Sequence, residues 1–187
     1  MRTAVRLLLF ATLALGVGTA QAWDLRVRGL VTEYLGGTPI TNATIRVYKD
    51  GVVQYNEPSG SFGRYAFTLD NNARYILRFS APGHQTKCFS VDTHGLARNA
   101  EKGTKDVFVE MTLFQKVQGL DLSYFDLPMG IARFEPWTGL LTWDQDYDGR
   151  IRPEVRAIMD EYERRTMPMP TTTAEAMLPG REGLLRR

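Results

Sequence analysis

The sequence predicts a mostly β fold: a seven-stranded antiparallel Greek-key sandwich, followed by an extension that carries one amphipathic helix. Three observations predict it. Between residues 23 and 113, apolar and polar residues alternate over short runs, the period of a strand with one buried face. Turn-forming residues separate those runs at near-regular spacing. No helical period lies between the runs, which argues against a parallel sheet with crossover helices.

The elements follow in order. Trp23, Leu25 and Val27 alternate with Asp24, Arg26 and Arg28, and Gly36-Gly37-Thr38-Pro39 ends the run. Ala43, Ile45 and Val47 make the next inward face, then Asp50-Gly51 signals a hairpin into an edge strand, Val52 to Tyr55. After the loop Pro58 to Ser61, Tyr65, Phe67 and Leu69 point inward, and after Asp70-Asn71-Asn72 so do Tyr75, Leu77 and Phe79. The turn Ala81 to His84 leads to a strand with Phe89 and Val91 inward and Thr86, Cys88 and Ser90 on the other face. Val107, Val109, Met111 and Leu113 complete the series. Residues 115–151 are irregular but rich in apolar side chains, so they are expected to pack on the sandwich, with Ile131–Phe134 and Leu140–Trp143 as an extra hairpin. A helix is predicted over 153–165, with Pro153 at its first position and Val155, Ile158, Met159 and Tyr162 as one apolar stripe.

The chain of 187 residues thus divides into 1–22, 23–114 as the sandwich, 115–165 as the accessory extension and 166–187 as a mobile tail. Residues 1–22 read as an export signal: Met1 to Arg6 is basic, a short apolar stretch follows, and Ala20-Gln21-Ala22 fits signal peptidase. A periplasmic or secreted protein is therefore expected. The net charge of +2 matches Arg2 and Arg6, so the rest is balanced and gives no reason to expect nucleic acid as a partner. Cys88 is the one cysteine, so no disulfide can form within the chain.

The stretches LRVRGLVTEYLGGTPITNATIRVYKDG and SFGRYAFTLDNNARYILRFSAPGHQTK carry a resemblance. Gly29, Gly37-Thr38-Pro39-Ile40 and Ala43, then Gly63, Tyr65 and Phe67, then Tyr75, Leu77, Phe79, Ser80 and Gly83 resemble the carboxypeptidase regulatory-like domain of the transthyretin-like sandwiches, over about residues 25–113. Asn42 departs from the pattern, where that family usually has Gly before the Ala. The resemblance implies a non-catalytic module for stability, adhesion or partner binding. A transthyretin-like sandwich can also be an enzyme, the hydroxyisourate hydrolase, but that family needs particular His and Arg residues and a terminal Tyr-Arg-Gly-Ser, whereas Gly-Leu-Leu-Arg-Arg stands here.

The sharpest chemical motif is Asp144, Asp146 and Asp148 before Gly149 and Ile151, a spacing that resembles the first two thirds of a calcium loop. The bidentate acid is missing: Val155 stands at position twelve, and Glu154 comes one residue early. The competing reading is an acidic turn before the helix, with Asp148 near its positive end. His84, Cys88, Asp92 and His94 offer the residue types of a hydrolase or a zinc site, but four residues along a strand put His84 and Cys88 about 13 Å apart. Asp121 and Asp126 make no convincing glycosidase pair. Arg26, Arg28, Arg46, Arg64, Arg74 and Arg78 all fall on outward faces, which protects sheets from self-association or else presents a surface to anionic glycans or phosphates. The expectation is a non-enzymatic exported module with no cofactor, serving an envelope protein or carbohydrate. Calcium binding is the alternative, and a hydrolase comes last.

Overall fold

The computed structural model describes residues 24–95, 105–135 and 138–167. The expected export segment 1–22, Trp23, Trp137 and the tail beyond Met167 lie outside the described residues. The described residues form nine strands: β1 (Asp24–Glu33), β2 (Thr44–Lys49), β3 (Val52–Pro58), β4 (Arg64–Asp70), β5 (Arg74–Ser80), β6 (Lys87–Asp92), β7 (Lys105–Leu113), β8 (Pro128–Phe134) and β9 (Leu141–Trp143). A helix, α1 (Gln145–Thr166), follows them. Among the described residues, no helix is long and apolar enough to cross a membrane.

The strands form two facing sheets, one ordered β4-β1-β7 and the other β3-β2-β5-β6-β8-β9. Alternation sets the register: Leu25 faces Leu69, Val27 faces Phe67 and Gly29 faces Tyr65 along the β1–β4 pair. These rows meet Ile45, Val47, Tyr75, Leu77, Phe79, Phe89 and Val91 in one buried core. Tyr65 and Phe79 touch across the sheets, ring centroids 5.0 Å apart. Burying an aromatic or aliphatic side chain of this size contributes about 1.5–3 kcal/mol before entropy is counted. The flanks are clasped as well. Tyr55 donates to the Thr68 carbonyl at 3.3 Å on one side, and Lys105 Nζ donates to the Gly139 carbonyl at 3.0 Å on the other.

The turn positions Asn42 and Gly63 hold left-handed backbone. Gly63 has φ 69°, and a Cβ there would lie 2.3 Å from the Val31 carbonyl oxygen, so only glycine fits. Asn42 sits at φ 59°, a left-handed conformation that asparagine tolerates better than most residues. The hairpin turn Asp50-Gly51 has positive φ at both residues, the geometry that a two-residue connection favours.

Two sequence expectations need correction. The pairing is not wholly antiparallel, because β1–β7 and β6–β8 run parallel. The chain crosses from β6 to the smaller sheet as β7 before β8 returns, and alternation alone carries no record of that crossing. Cys88 and Ser90 do lie on the face of β6 opposite Phe89 and Val91, and the segment after β7 covers that face, so both are buried. Second, the helix starts at Gln145 rather than Pro153, and Pro153 lies inside it. Asp144 is the N-cap, accepting from the Tyr147 N–H at 3.0 Å. Asp146 and Asp148 add negative charge to the first turn, where the helix dipole favours it. The carbonyl that Pro153 cannot serve belongs to Gly149, which is exposed and can turn to water.

The extra hairpin is present as β8 and β9, joined to the larger sheet. Trp143 packs edge-on against Phe89 at 5.9 Å and lies over Gly130. The predicted stripe of α1 lies at one end of the sandwich, where β1 and β7 finish and β6 begins. There Tyr162, Val155, Ile158 and Met159 form a second core with Phe114, Leu122 and Phe125.

Candidate functional site

The three acids of the calcium motif do not form a loop. Asp144 caps α1 and pairs with Arg133 at 3.1 Å, with its side chain only 11% exposed. Asp146 and Asp148 ride on the helix, and Asp148 pairs with Arg152. No group of three or more His, Cys, Asp or Glu side chains is placed to hold a metal ion among the described residues. A calcium loop needs its alternate carboxylates turned inward around one centre, and helical backbone spreads them instead. Melting in Ca²⁺ and in EDTA is accordingly expected to agree within about 1 °C. Asp144→Ala is expected to lower stability by about 1 kcal/mol in both, through the lost cap. A calcium-dependent rise in melting temperature that Asp144→Ala abolishes would reverse this reading.

The hydrolase candidates are held apart. His84 spans two acceptors, the Glu33 carboxylate at 2.7 Å and the Pro82 carbonyl at 2.8 Å, and so pins its turn to the end of β1. His94 contacts Asp92 through Nδ1 at 2.7 Å, and Asp92 also lies 3.6 Å from Arg74. Cys88 is buried, with Sγ 3.7 Å from the Asp126 carbonyl. Burial pushes its thiol above the ordinary range, which disfavours the nucleophilic thiolate. Asp121 accepts from the Ser123 N–H at 2.9 Å, and Asp126 pairs with Arg78 at 3.2 Å. Among the described residues Asp92 and His94 touch each other, whereas the Cys88 thiol meets a backbone carbonyl rather than a histidine that could serve as its base.

The outward arginines gather most meaningfully on the smaller sheet. Its outer face carries Arg28 and Leu30 from β1, Arg64 from β4 and Phe108 from β7, around a shallow depression of ≈ 790 Å³. Phe108 is 60% exposed and sits beside Arg28 in the β1–β7 register. Phe62, in the short turn Ser61–Gly63, is 66% exposed. Its backbone lies at φ 59°, ψ 29°, a conformation that is strained for a bulky residue. The Arg64 guanidinium stacks over its ring at 5.6 Å. Arg28 lies 3.6 Å from Asp106, and Thr32 donates to Glu110 at 2.9 Å. The sequence predicted the arginines but not Phe62. The signal available was an aromatic residue set between Gly60 and Gly63, where a turn has no need of one.

A second recess lies beneath α1, with Phe114, Phe125, Met129 and Met159 in its walls and Lys87 beside them. Lys87 falls on the same row of β6 as Phe89 and Val91, and it reaches across to the Thr112 carbonyl of the opposite sheet at 2.8 Å. Burial pushes its amine down to about 8. Alternation contained this signal too, as a lysine occupying an inward position.

No family model matches the chain, and no curated protein matches it. Solved structures that resemble it include the TIE protein of Bacillus anthracis, with a TM-score of 0.40 and 12% identity over 49% of this chain and 17% of that one. Hydroxyquinol 1,2-dioxygenase from Pseudomonas putida DLL-E4 gives a TM-score of 0.37 and 11% identity over 50% of this chain and 57% of that one. Shaft pilin spaA from Lactobacillus rhamnosus GG gives 0.35 and 12%, over 51% of each chain. The chain thus spans less than two thirds of each of these proteins, and likenesses of this size carry no functional argument.

Proposed function

We infer that this chain is a non-catalytic β-sandwich module of the carboxypeptidase regulatory-like kind, working outside the cytoplasm, and that it binds an anionic glycan on the outer face of its smaller sheet. The observation that carries this reading is Phe62, an exposed aromatic ring held in a strained backbone conformation beside Arg64. Strain of about 1–3 kcal/mol persists where the surroundings impose it, and such residues cluster at binding sites. Phe62 and Phe108 offer flat apolar surface for the faces of sugar rings, and Arg28 and Arg64 offer planar forks suited to carboxylate or phosphate groups. The separation of His84, His94 and Cys88 supports a role without covalent chemistry.

The test is titration with a polyuronate oligosaccharide and with a neutral glucan of equal length. The polyuronate is expected to bind more tightly, and Phe62→Ala and Arg64→Gln are each expected to weaken it about tenfold, or about 1.4 kcal/mol. Equal affinity for both sugars, or full binding by both variants, would overturn the reading. If neither sugar binds yet Phe62→Ala loses a protein captured from envelope extract, the face serves a protein instead.

A further inference from the structure

We propose that the recess between α1 and the end of the sandwich binds a carboxylate-bearing amphiphile, with the acid on Lys87 Nζ and the apolar tail along Phe114, Phe125, Met129, Val155 and Met159. The site is separate from the sheet face and does not rest on the glycan reading.

The argument starts from the ammonium. It carries three N–H donors. The Thr112 carbonyl accepts one of them at 2.8 Å, and the Phe114 and Phe125 ring centroids lie 5.7 and 5.8 Å from Nζ. Among the described residues, no carboxylate stands within ion-pair distance of Lys87, although ten such pairs form elsewhere. A positive charge is thus set among aromatic rings without a counter-charge from the protein, an arrangement that is costly unless something supplies one. With its amine pushed down to about 8, Lys87 still holds its proton at neutral pH. A ligand carboxylate would take the two remaining donors and offset the charge.

The recess fits the other half of such a ligand. It has a volume of ≈ 260 Å³, and its walls are aromatic, methionine and aliphatic side chains. At about 30 Å³ per water-sized group this is room for about eight heavy atoms, a medium-length acyl or aryl chain. Methionines adapt to such tails because their side chains are unbranched and polarizable. On the solvent side, Asp148 is already paired with Arg152, so the opening offers no net negative charge to repel an acid. Tyr34, which also borders the recess, donates to Glu163 at 2.5 Å, so that carboxylate is engaged as well.

The probe is octanoate, with octanol as its uncharged counterpart. Isothermal titration of the full chain is expected to give a dissociation constant for octanoate of about 0.1–1 mM, with octanol at least about tenfold weaker. Lys87→Met keeps the length and removes the charge, so it should weaken octanoate about tenfold and leave octanol unchanged. Lys87→Arg should retain octanoate within about threefold. Should Lys87→Met fail to fold, methyl resonances of Met129 and Met159 in the unaltered protein provide the readout, since octanoate should shift both. Equal affinity for octanoate and octanol, unchanged octanoate binding in Lys87→Met, or methionine methyls that stay in place at about 10 mM octanoate would each overturn the proposal.

Discussion

Replacing Gly29 with alanine is expected to cost about 3–5 kcal/mol and to lower the melting temperature by roughly 10 °C. Gly29 lies on the inward row of β1, the central strand of the smaller sheet, opposite Tyr65 on one side and Val109 on the other. A Cβ there would sit 1.8 Å from the Val109 carbonyl oxygen and 3.0 Å from the Tyr65 hydroxyl. The obstacle is backbone, so β7 itself must move. The gap left by the missing side chain is used by Tyr65, which reaches over Gly29 and donates to the Val109 carbonyl at 2.6 Å. Burial pushes the Tyr65 hydroxyl well above its ordinary range, consistent with a group shut off from water. Alanine would therefore both part β1 from β7 and break the bond that crosses them. Urea and thermal unfolding followed by circular dichroism measure the effect. Tyr65→Phe, which loses only the hydroxyl, should cost about 1–2 kcal/mol. A Gly29→Ala loss below that of Tyr65→Phe would mean that the close approach does not constrain the sheet.

Phe114→Ala is the second large effect, expected at about 3–5 kcal/mol and accompanied by release of α1. Phe114 is almost fully buried immediately after β7. It meets Phe125 at 4.8 Å, Tyr162 at 5.0 Å and Tyr34 at 6.4 Å, all edge-on. Among the described residues, no other ring contact joins the helix, the turn at Ser123–Asp126 and the end of β1 at once. The main core does not include Phe114, so the sandwich should survive the substitution. Hydrogen exchange should then show lost protection across residues 145–166 and retained protection in β2, β5 and β6. Equal loss in both regions would show that the two cores unfold together, and retained helix protection would show that Phe114 does not hold α1.

The inward faces were legible because a period of two records which side of a sheet each residue occupies. Leu25, Val27, Phe67, Leu69, Leu77 and Phe79 are all buried as that period requires. The same period is silent about neighbours, so the parallel pairs β1–β7 and β6–β8 were not legible. Neither was the cover over Cys88 and Ser90, which comes from residues some forty positions later in the chain. The start of α1 was misread because Asp144 to Gly149 suits a metal loop and a capped helix equally well by composition. The Tyr147 N–H decided it, by finding the Asp144 carboxylate. Of the sites, the arginine face could be read from alternation, but its focus on Phe62 could not, since a left-handed phenylalanine is a property of the folded turn. Lys87 was written in the sequence as a polar residue on an apolar row, and its meaning emerged only when α1 closed over it.

The parallel alignment of β1 with β7 joins residues about eighty positions apart. As the polypeptide emerges from its N-terminus, Asp24–Glu33 can zip with Arg64–Asp70 early, yet one hydrogen-bonding edge of that first strand stays empty until Leu113 is out. Closing so long a loop is entropically slow, and an unfilled central edge is an invitation to wrong partners in the interval. Nascent molecules of this topology should therefore dwell in a half-built state, and their yield should depend on how dilute they are kept while they wait.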